Sequence, residues 1–271
     1  MPRTGEEGRW GSRWAGWLTR FNSVLFPPLC RGCGTLLFSG PGAKAYFPYL
    51  CAACFHTLPW TVMPGAEPQR QLADSVEEGL TRIWSVFSYA EPLDRWIPTF
   101  KYSGEDALSR MFGVLMSQSP QALEALRESD AVVPVPLHRR RLAWRGFNQS
   151  LLLAHHWRVA SQALGQPQPA LMSGLLKRHR FTQPQVGMQA AARASNLINA
   201  FSLGRLPRAV KNNRSAELAG SAGVLRGLRI LLVDDVMTTG ATLRACAGVL
   251  RDEGATSVSA LVLARAEKPG T

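Results

Sequence analysis

Residues 229–243 read Arg-Ile-Leu-Leu-Val-Asp-Asp-Val-Met-Thr-Thr-Gly-Ala-Thr-Leu. A carboxylate pair such as Asp234 and Asp235 can accept hydrogen bonds from adjacent ribose hydroxyls, as acidic residues do in nucleotide-binding folds. The run Thr238, Thr239, Gly240, Ala241 and Thr242 supplies small and hydroxylated residues at a helix start. There, backbone N–H groups and the positive end of the helix dipole favour a phosphate monoester. Carboxylates for hydroxyls beside a cradle for phosphate are the parts needed to hold a phosphorylated sugar. The plainer alternative is a buried strand ending in a solvated acidic turn.

Four of the five cysteines form a second constellation, Cys30-x2-Cys33 and Cys51-x2-Cys54. Two such knuckles present four thiolates to one tetrahedral ion, at a separation suited to a zinc ribbon. With every ligand position filled by protein, a Zn²⁺ bound there is expected to be structural rather than catalytic. Gly32 and Gly34 allow tight turns in the first knuckle, and Pro27, Pro28, Pro48 and Pro59 keep the segment poor in regular structure. Such a segment depends on the metal to fold. Two disulfides are the competing reading, which a cytosolic setting disfavours. Cys246 stands apart in the helix after the phosphate cradle and reads as a small core residue.

Cations form the third. Val133-Pro-Val-Pro-Leu runs into a basic stretch read as a loop, with Arg139, Arg140, Arg141 and Arg145, before Asn148 and Gln149 open a helix. Leu176-x-Arg178-x-Arg180-x-Thr182-x-x-Gln185 follows, with Arg193, Asn196, Ala200 and Phe201 beyond it. Guanidinium forks grip phosphate bidentately. Arg139, Arg140, Arg145, Arg178 and Arg180 are therefore candidate contacts for a diphosphate or a nucleic acid, although a basic loop is also often only a solvated surface. His155 and His156 fall mid-helix and read as structural or solvated.

Positioning these groups requires an α/β scaffold. Strands are expected at 83–89, 131–135, about 171–176, 229–234 and 257–263, and helices at 107–116, 121–128, 150–163, 189–199 and 241–253. A turn at Glu91-Pro92 and a short helix toward Lys101-Tyr102 follow the first of these strands. Strands alternating with helices imply a parallel sheet with right-handed crossovers. In such sheets ligands bind beyond the carboxyl ends of the strands, where Asp234 and Asp235 are expected to fall.

The expected organisation is an amphipathic N-terminal helix over 1–26, a four-cysteine zinc-ribbon module over 27–60, a linker over 61–80 and a large α/β domain over 81–271. Gly204 to Gly227 reads as a mobile surface insertion. The first segment carries Trp10, Trp14, Trp17 and Phe21 at helical spacing among arginines. It suits packing on the body or a partner, or lying on the inner face of a membrane.

The 271 residues carry a formal net charge of +12, with 46% hydrophobic and 18% charged residues, which is globular rather than disordered. The excess positive charge suits a polyanion, either a diphosphate-bearing small molecule or nucleic acid. No apolar run reaches the roughly 18 residues of a membrane span, and the N-terminus lacks the apolar core of a signal peptide. A cytoplasmic protein is the expectation.

Residues 229–243 resemble the phosphoribosyl-diphosphate (PRPP) motif of the type I phosphoribosyltransferases: hydrophobic run, paired acids, apolar pair, Thr-Thr-Gly-Ala-Thr. With the zinc-ribbon cysteines, Pro-Val-Pro-Leu, Arg-Gly-Phe-Asn-Gln and Arg-x-Arg-x-Thr-x-x-Gln, the chain resembles the ComF family of competence and DNA-utilisation proteins over about residues 22–265. The resemblance implies a type I phosphoribosyltransferase fold joined to a zinc ribbon. It also implies PRPP binding with Mg²⁺ and a role in uptake or use of external DNA beside the DNA-uptake machinery. Within it, the segment between the second and third core strands takes the place of a flexible hood. The sequence departs at 204–227, which is longer than in the family, and at Asn199, where glycine is common. Two alternatives stay open: an active transferase moving phosphoribose onto a base or amine, and a single-stranded-DNA adaptor with a regulatory phosphoribosyl site.

Overall fold

The computed structural model describes residues 28–37, 49–66, 79–103, 106–180, 200–204 and 223–266. The expected 1–26 and 189–199 helices, and residues 205–222 of the 204–227 insertion, lie outside them. The chain divides into two compact units, Met1–Leu58 and Pro59–Thr271.

In the first unit, Gly34 N–H donates to Cys30 O at 2.8 Å and Cys30 N–H to Thr35 O at 2.8 Å, closing a tight knuckle. A short helix, α1 (Ala52–His56), forms the second knuckle, with the Cys51 side chain accepting from Cys54 N–H at its N-terminus.

The second unit is built on five parallel strands. They are β1 (Ile83–Ser88), β2 (Ala131–Pro134), β3 (Ala170–Leu171), β6 (Arg229–Met237) and β7 (Ser257–Arg265), in the order β1-β7-β6-β2-β3. Ile230 to Val233 and Val258 to Ala264 are continuous apolar or small runs buried on both faces, as central parallel strands require. Helices α2 (Leu93–Ser103), α3 (Asp106–Gln118), α4 (Pro120–Arg127), α6 (Gln149–Ala163) and α7 (Ala241–Asp252) surround them. On α6, Leu153, Ala154, Trp157 and Ser161 form the buried stripe of a helical period. Trp60 and Thr61, at the junction of the expected module and linker, lie along β1: Trp60 bridges to Phe87, and Thr61 N–H donates to Val86 O at 3.1 Å.

Three expectations are corrected. The first concerns the stretch at 171–176. Only Ala170–Leu171 joins the sheet, and after a turn at Ser173-Gly174 the chain forms β4 (Leu176–Arg178), which pairs antiparallel with β5 (Phe201–Leu203) in a separate two-stranded sheet.

Secondly, the acidic pair does not follow the end of β6. The strand runs to Met237 because β7 is equally long and pairs with it through Val236↔Ala264 and Met237↔Arg265. Asp234 and Asp235 therefore sit within paired backbone, which fixes them more firmly than a loop would.

Thirdly, the arginine-rich stretch is a helix, α5 (Arg139–Arg145), rather than a loop. His138 Nδ1 accepts from Arg140 N–H at its start, and Gly146 closes it with φ 80° and an N–H to Leu142 O. Arginine, leucine and alanine are good helix formers, so local propensity favours the helix once both ends are capped.

From β2 the chain continues outward to β3, and from β6 it continues the opposite way to β7. The carboxyl ends of β2 and β6 thus flank the point where strand order reverses, the usual crevice for ligands in open α/β sheets.

Candidate functional site

A cavity of about 180 Å³ opens at this switch point, with Val135 to Leu137 from the end of β2 on one side and Asp234 and Asp235 from β6 on the other. The carboxylates are held from several directions. Ser150 Oγ donates to Asp234 Oδ1 at 2.8 Å, and Asp235 N–H reaches the same oxygen at 2.9 Å. Val236 N–H donates to Asp235 Oδ1 at 2.7 Å. Lys101 Nζ, from the last turn of α2, pairs with Asp235 Oδ2 at 3.1 Å. Ser150 arrives because Asn148 caps α6, accepting from Ser150 N–H at 3.0 Å and donating to Val135 O at 3.1 Å. Burial and the charge of Asp235 push the Asp234 carboxyl up to about 7, against the hydrogen bonds and Lys101, which favour its ionised form.

Three arginines line the same cavity as the acids: Arg141 and Arg145 from α5 and Arg178 from β4. The Arg145 guanidinium lies 5.1 Å from the Tyr102 ring centroid and that of Arg178 lies 5.3 Å from Phe201, contacts that orient both forks. Burial, together with the charge of a neighbouring arginine, pulls Arg141 and Arg178 below the usual guanidinium range. Crowded cations that are partly desolvated gain most from a polyanion. Arg145 Nε and Gln149 Nε2 are buried donors that find no acceptor among the described residues, as expected where a ligand supplies the oxygens.

The turn expected to cradle phosphate lies alongside. Gly240 adopts φ 71° and starts α7 with no side-chain cap, which leaves the first-turn N–H groups for an anion. Thr242 lines the cavity. Thr238 is exposed, Thr239 half-buried, and Gly240 and Ala241 are buried in the turn.

The structure thus brings Asp234, Asp235, Thr242, Arg145 and Arg178 together around one cavity, with Thr238 to Ala241 beside it. Arg139 and Arg140 are exposed on α5 and Arg180 is exposed just beyond β4; none of the three lines the cavity. Lys101, Arg141, Gln149 and Ser150 also line it, beyond the contacts expected from the sequence. Arg141 and Arg145 are four apart, a spacing that places both on one face once α5 is helical. Lys101 carried no such local signal.

In the first unit, the Sγ atoms of Cys30, Cys33, Cys51 and Cys54 all lie within 4.8 Å of one another. Cys33 and Cys51 Sγ are 3.7 Å apart, close to the edge of a tetrahedron with metal–sulfur legs of about 2.3 Å. All four are free thiols, so the disulfide reading does not hold. Cys51 N–H donates to Cys30 Sγ at 3.3 Å, and Cys54 N–H to Cys51 Sγ at 3.5 Å, orienting sulfur lone pairs inward. A Cβ on Gly32 would sit 2.7 Å from Cys54 Sγ, so only glycine fits the knuckle at that point. Contacts with Thr35 draw Cys33 down to about 6, whereas burial and the neighbouring sulfurs push Cys54 up. Four sulfurs this close ionise together only around a cation, and the cluster can hold a metal ion.

Cys246 is fully buried in α7. His156 Nε2 lies 3.2 Å from Asp106 Oδ1, away from the cavity. Among the described residues no helix is long and apolar enough to cross a membrane.

Residues 188–270 match the phosphoribosyl transferase domain. Competence protein F of Haemophilus influenzae is 30% identical over 241 residues, covering 88% of this chain and 90% of that protein. The chain belongs to the ComF family. DNA utilization protein YhgH of Salmonella typhimurium is also 30% identical, over 80% of this chain and 90% of that protein. Competence protein ComFC of Streptococcus pneumoniae is 27% identical over 67% of each. The fold is therefore that of a ComF protein: a phosphoribosyltransferase-type parallel sheet preceded by a cysteine module with the features of a zinc ribbon.

Proposed function

We propose that the switch-point cavity binds PRPP or a related phosphoribosyl ligand, and that the chain serves the uptake or use of external DNA. The observation that carries this is the convergence of two fixed carboxylates and three arginines on one cavity beside an uncapped helix start. Asp234 and Asp235 accept the ribose hydroxyls. The turn from Thr238 to Thr242 takes the 5′-phosphate, and Arg141, Arg145 and Arg178 take the diphosphate. Mg²⁺ would add charge neutralisation at the diphosphate oxygens while keeping part of its water shell. The cysteine cluster would hold Zn²⁺ as a structural ion, with all four positions filled by protein. Free thiols in that cluster support a reducing compartment, and we place the protein in the cytoplasm. The DNA role is supported by the names of its relatives, which are competence and DNA-utilisation proteins.

The test of the biological role is genetic. The chromosomal gene is replaced by the Asp234→Asn, Asp235→Asn allele, and transformation by a linear marker or growth on external DNA is scored. The expected result is loss to the level of a deletion strain, with normal amounts of protein. Wild-type performance by that allele would separate the cavity from the DNA role.

A further inference from the structure

Two aromatic side chains, each next in sequence to a residue that lines the cavity, are left in solvent. Tyr102, in the last turn of α2, is 63% exposed, and Trp144, in the last turn of α5, is 72% exposed. They come from different elements yet meet edge to face, with centroids 5.7 Å apart and planes at 63°. Large aromatics usually end in a core, so two that converge on a surface point to something that covers them.

Their neighbours state the chemistry of that partner. The guanidinium of Arg145 lies over the Tyr102 ring, and the same side chain lines the cavity with its Nε buried and without an acceptor among the described residues. The aromatic pair is thus joined to the cavity through one residue. Arg139 and Arg140 stand exposed on the same short helix as Trp144. An apolar protein surface would find these cations unfavourable. A flat π-system attached to phosphates satisfies both the rings and the charges.

We propose that Tyr102 and Trp144 form a stacking subsite for the nucleobase of a nucleotide whose ribose and phosphate occupy the cavity. This rests on the phosphoribosyl reading of that cavity and adds to it the ring that the bound sugar carries or receives.

The test is calorimetric titration of the full-length, metal-loaded protein with ribose 5-phosphate and with adenosine 5′-monophosphate. The wild type is expected to bind the nucleotide about ten-fold more tightly than the sugar phosphate, the gain typical of one stacked base. Trp144→Ala is expected to remove that advantage without changing the affinity for ribose 5-phosphate, and Trp144→Phe to retain most of it. Equal affinities for the two probes in the wild type would overturn the subsite while leaving the sugar-phosphate site in place. A nucleotide advantage that survives Trp144→Ala would also overturn it. If neither probe binds the wild type, the phosphoribosyl reading fails and the subsite falls with it.

Discussion

Asp234→Asn combined with Asp235→Asn is expected to abolish PRPP binding while leaving the fold intact. In the proposed complex each carboxylate accepts charge-assisted hydrogen bonds from ribose hydroxyls, worth about 1.5–3 kcal/mol apiece. Losing both therefore costs on the order of 3–6 kcal/mol, a fall in affinity of roughly 10²- to 10⁴-fold. The side chains are nearly isosteric, so the loss reflects charge rather than shape.

The same site makes a pH prediction. Burial and the neighbouring Asp235 raise Asp234 to about 7, against an ordinary value of 3.8. Between these limits the unfolded chain has released this proton while the folded chain still holds it. The contribution of Asp234 to stability is therefore present at low pH and is lost as pH rises through that window. The proposed ribose contact, by contrast, needs the carboxylate. PRPP affinity should fall between pH 8 and pH 6, and the ligand-free Asp234→Asn protein should melt higher than the wild type at pH 8. A gain on the order of 1 kcal/mol would appear as about 2–4 °C in a domain of this size. Such a gain from removing a functional group marks a site held at a cost to stability. A lower melting temperature for this variant would mean that Asp234 is a structural anchor instead.

Stripping the metal from the cysteine cluster is expected to unfold the first unit while the sheet domain stays folded. Among the described residues, the module buries few large side chains, Leu50, Phe55 and Leu58 among them. Apparent binding free energies of structural zinc reach about 10–16 kcal/mol, far above what so small a core supplies. The proposed zinc site predicts about one Zn²⁺ per chain in purified protein. Cys33→Ser or Cys51→Ser should abolish that content and expose the remaining thiols to a colorimetric reagent. Because the chain divides at Leu58 and Pro59, the main thermal transition should remain within a few degrees of the wild type. Four thiols that react freely in the untreated protein would show that no ion is held there.

The parts of the molecule legible from sequence were those whose meaning is local. Ile230 to Val233 could only be a buried strand, and the acids and the Thr-Gly turn after it carry their chemistry in order along the chain. The cysteine spacing was similarly self-contained. The stretch from Arg139 to Arg145 reads as a basic loop by its charge density, whereas the helix propensity of its residues and the caps from His138 and Gly146 make it a helix. Only the helical period gives Arg141 and Arg145 a common face, and Arg139 and Arg140, exposed on the same helix, do not line the cavity. The extent of β6 depended on β7, a partner contributed by a later segment. Lys101 was illegible for the same reason: its meeting with Asp235 is made by tertiary packing, and nothing around residue 101 announces it.

The most direct test of the central claim is a calorimetric titration of the metal-loaded, full-length chain with PRPP, with and without Mg²⁺. Saturable binding that strengthens with Mg²⁺ and disappears in the Asp234→Asn, Asp235→Asn protein is the predicted result. An absence of binding under both conditions, in wild-type protein with its sheet domain folded, would contradict a phosphoribosyl site in this cavity.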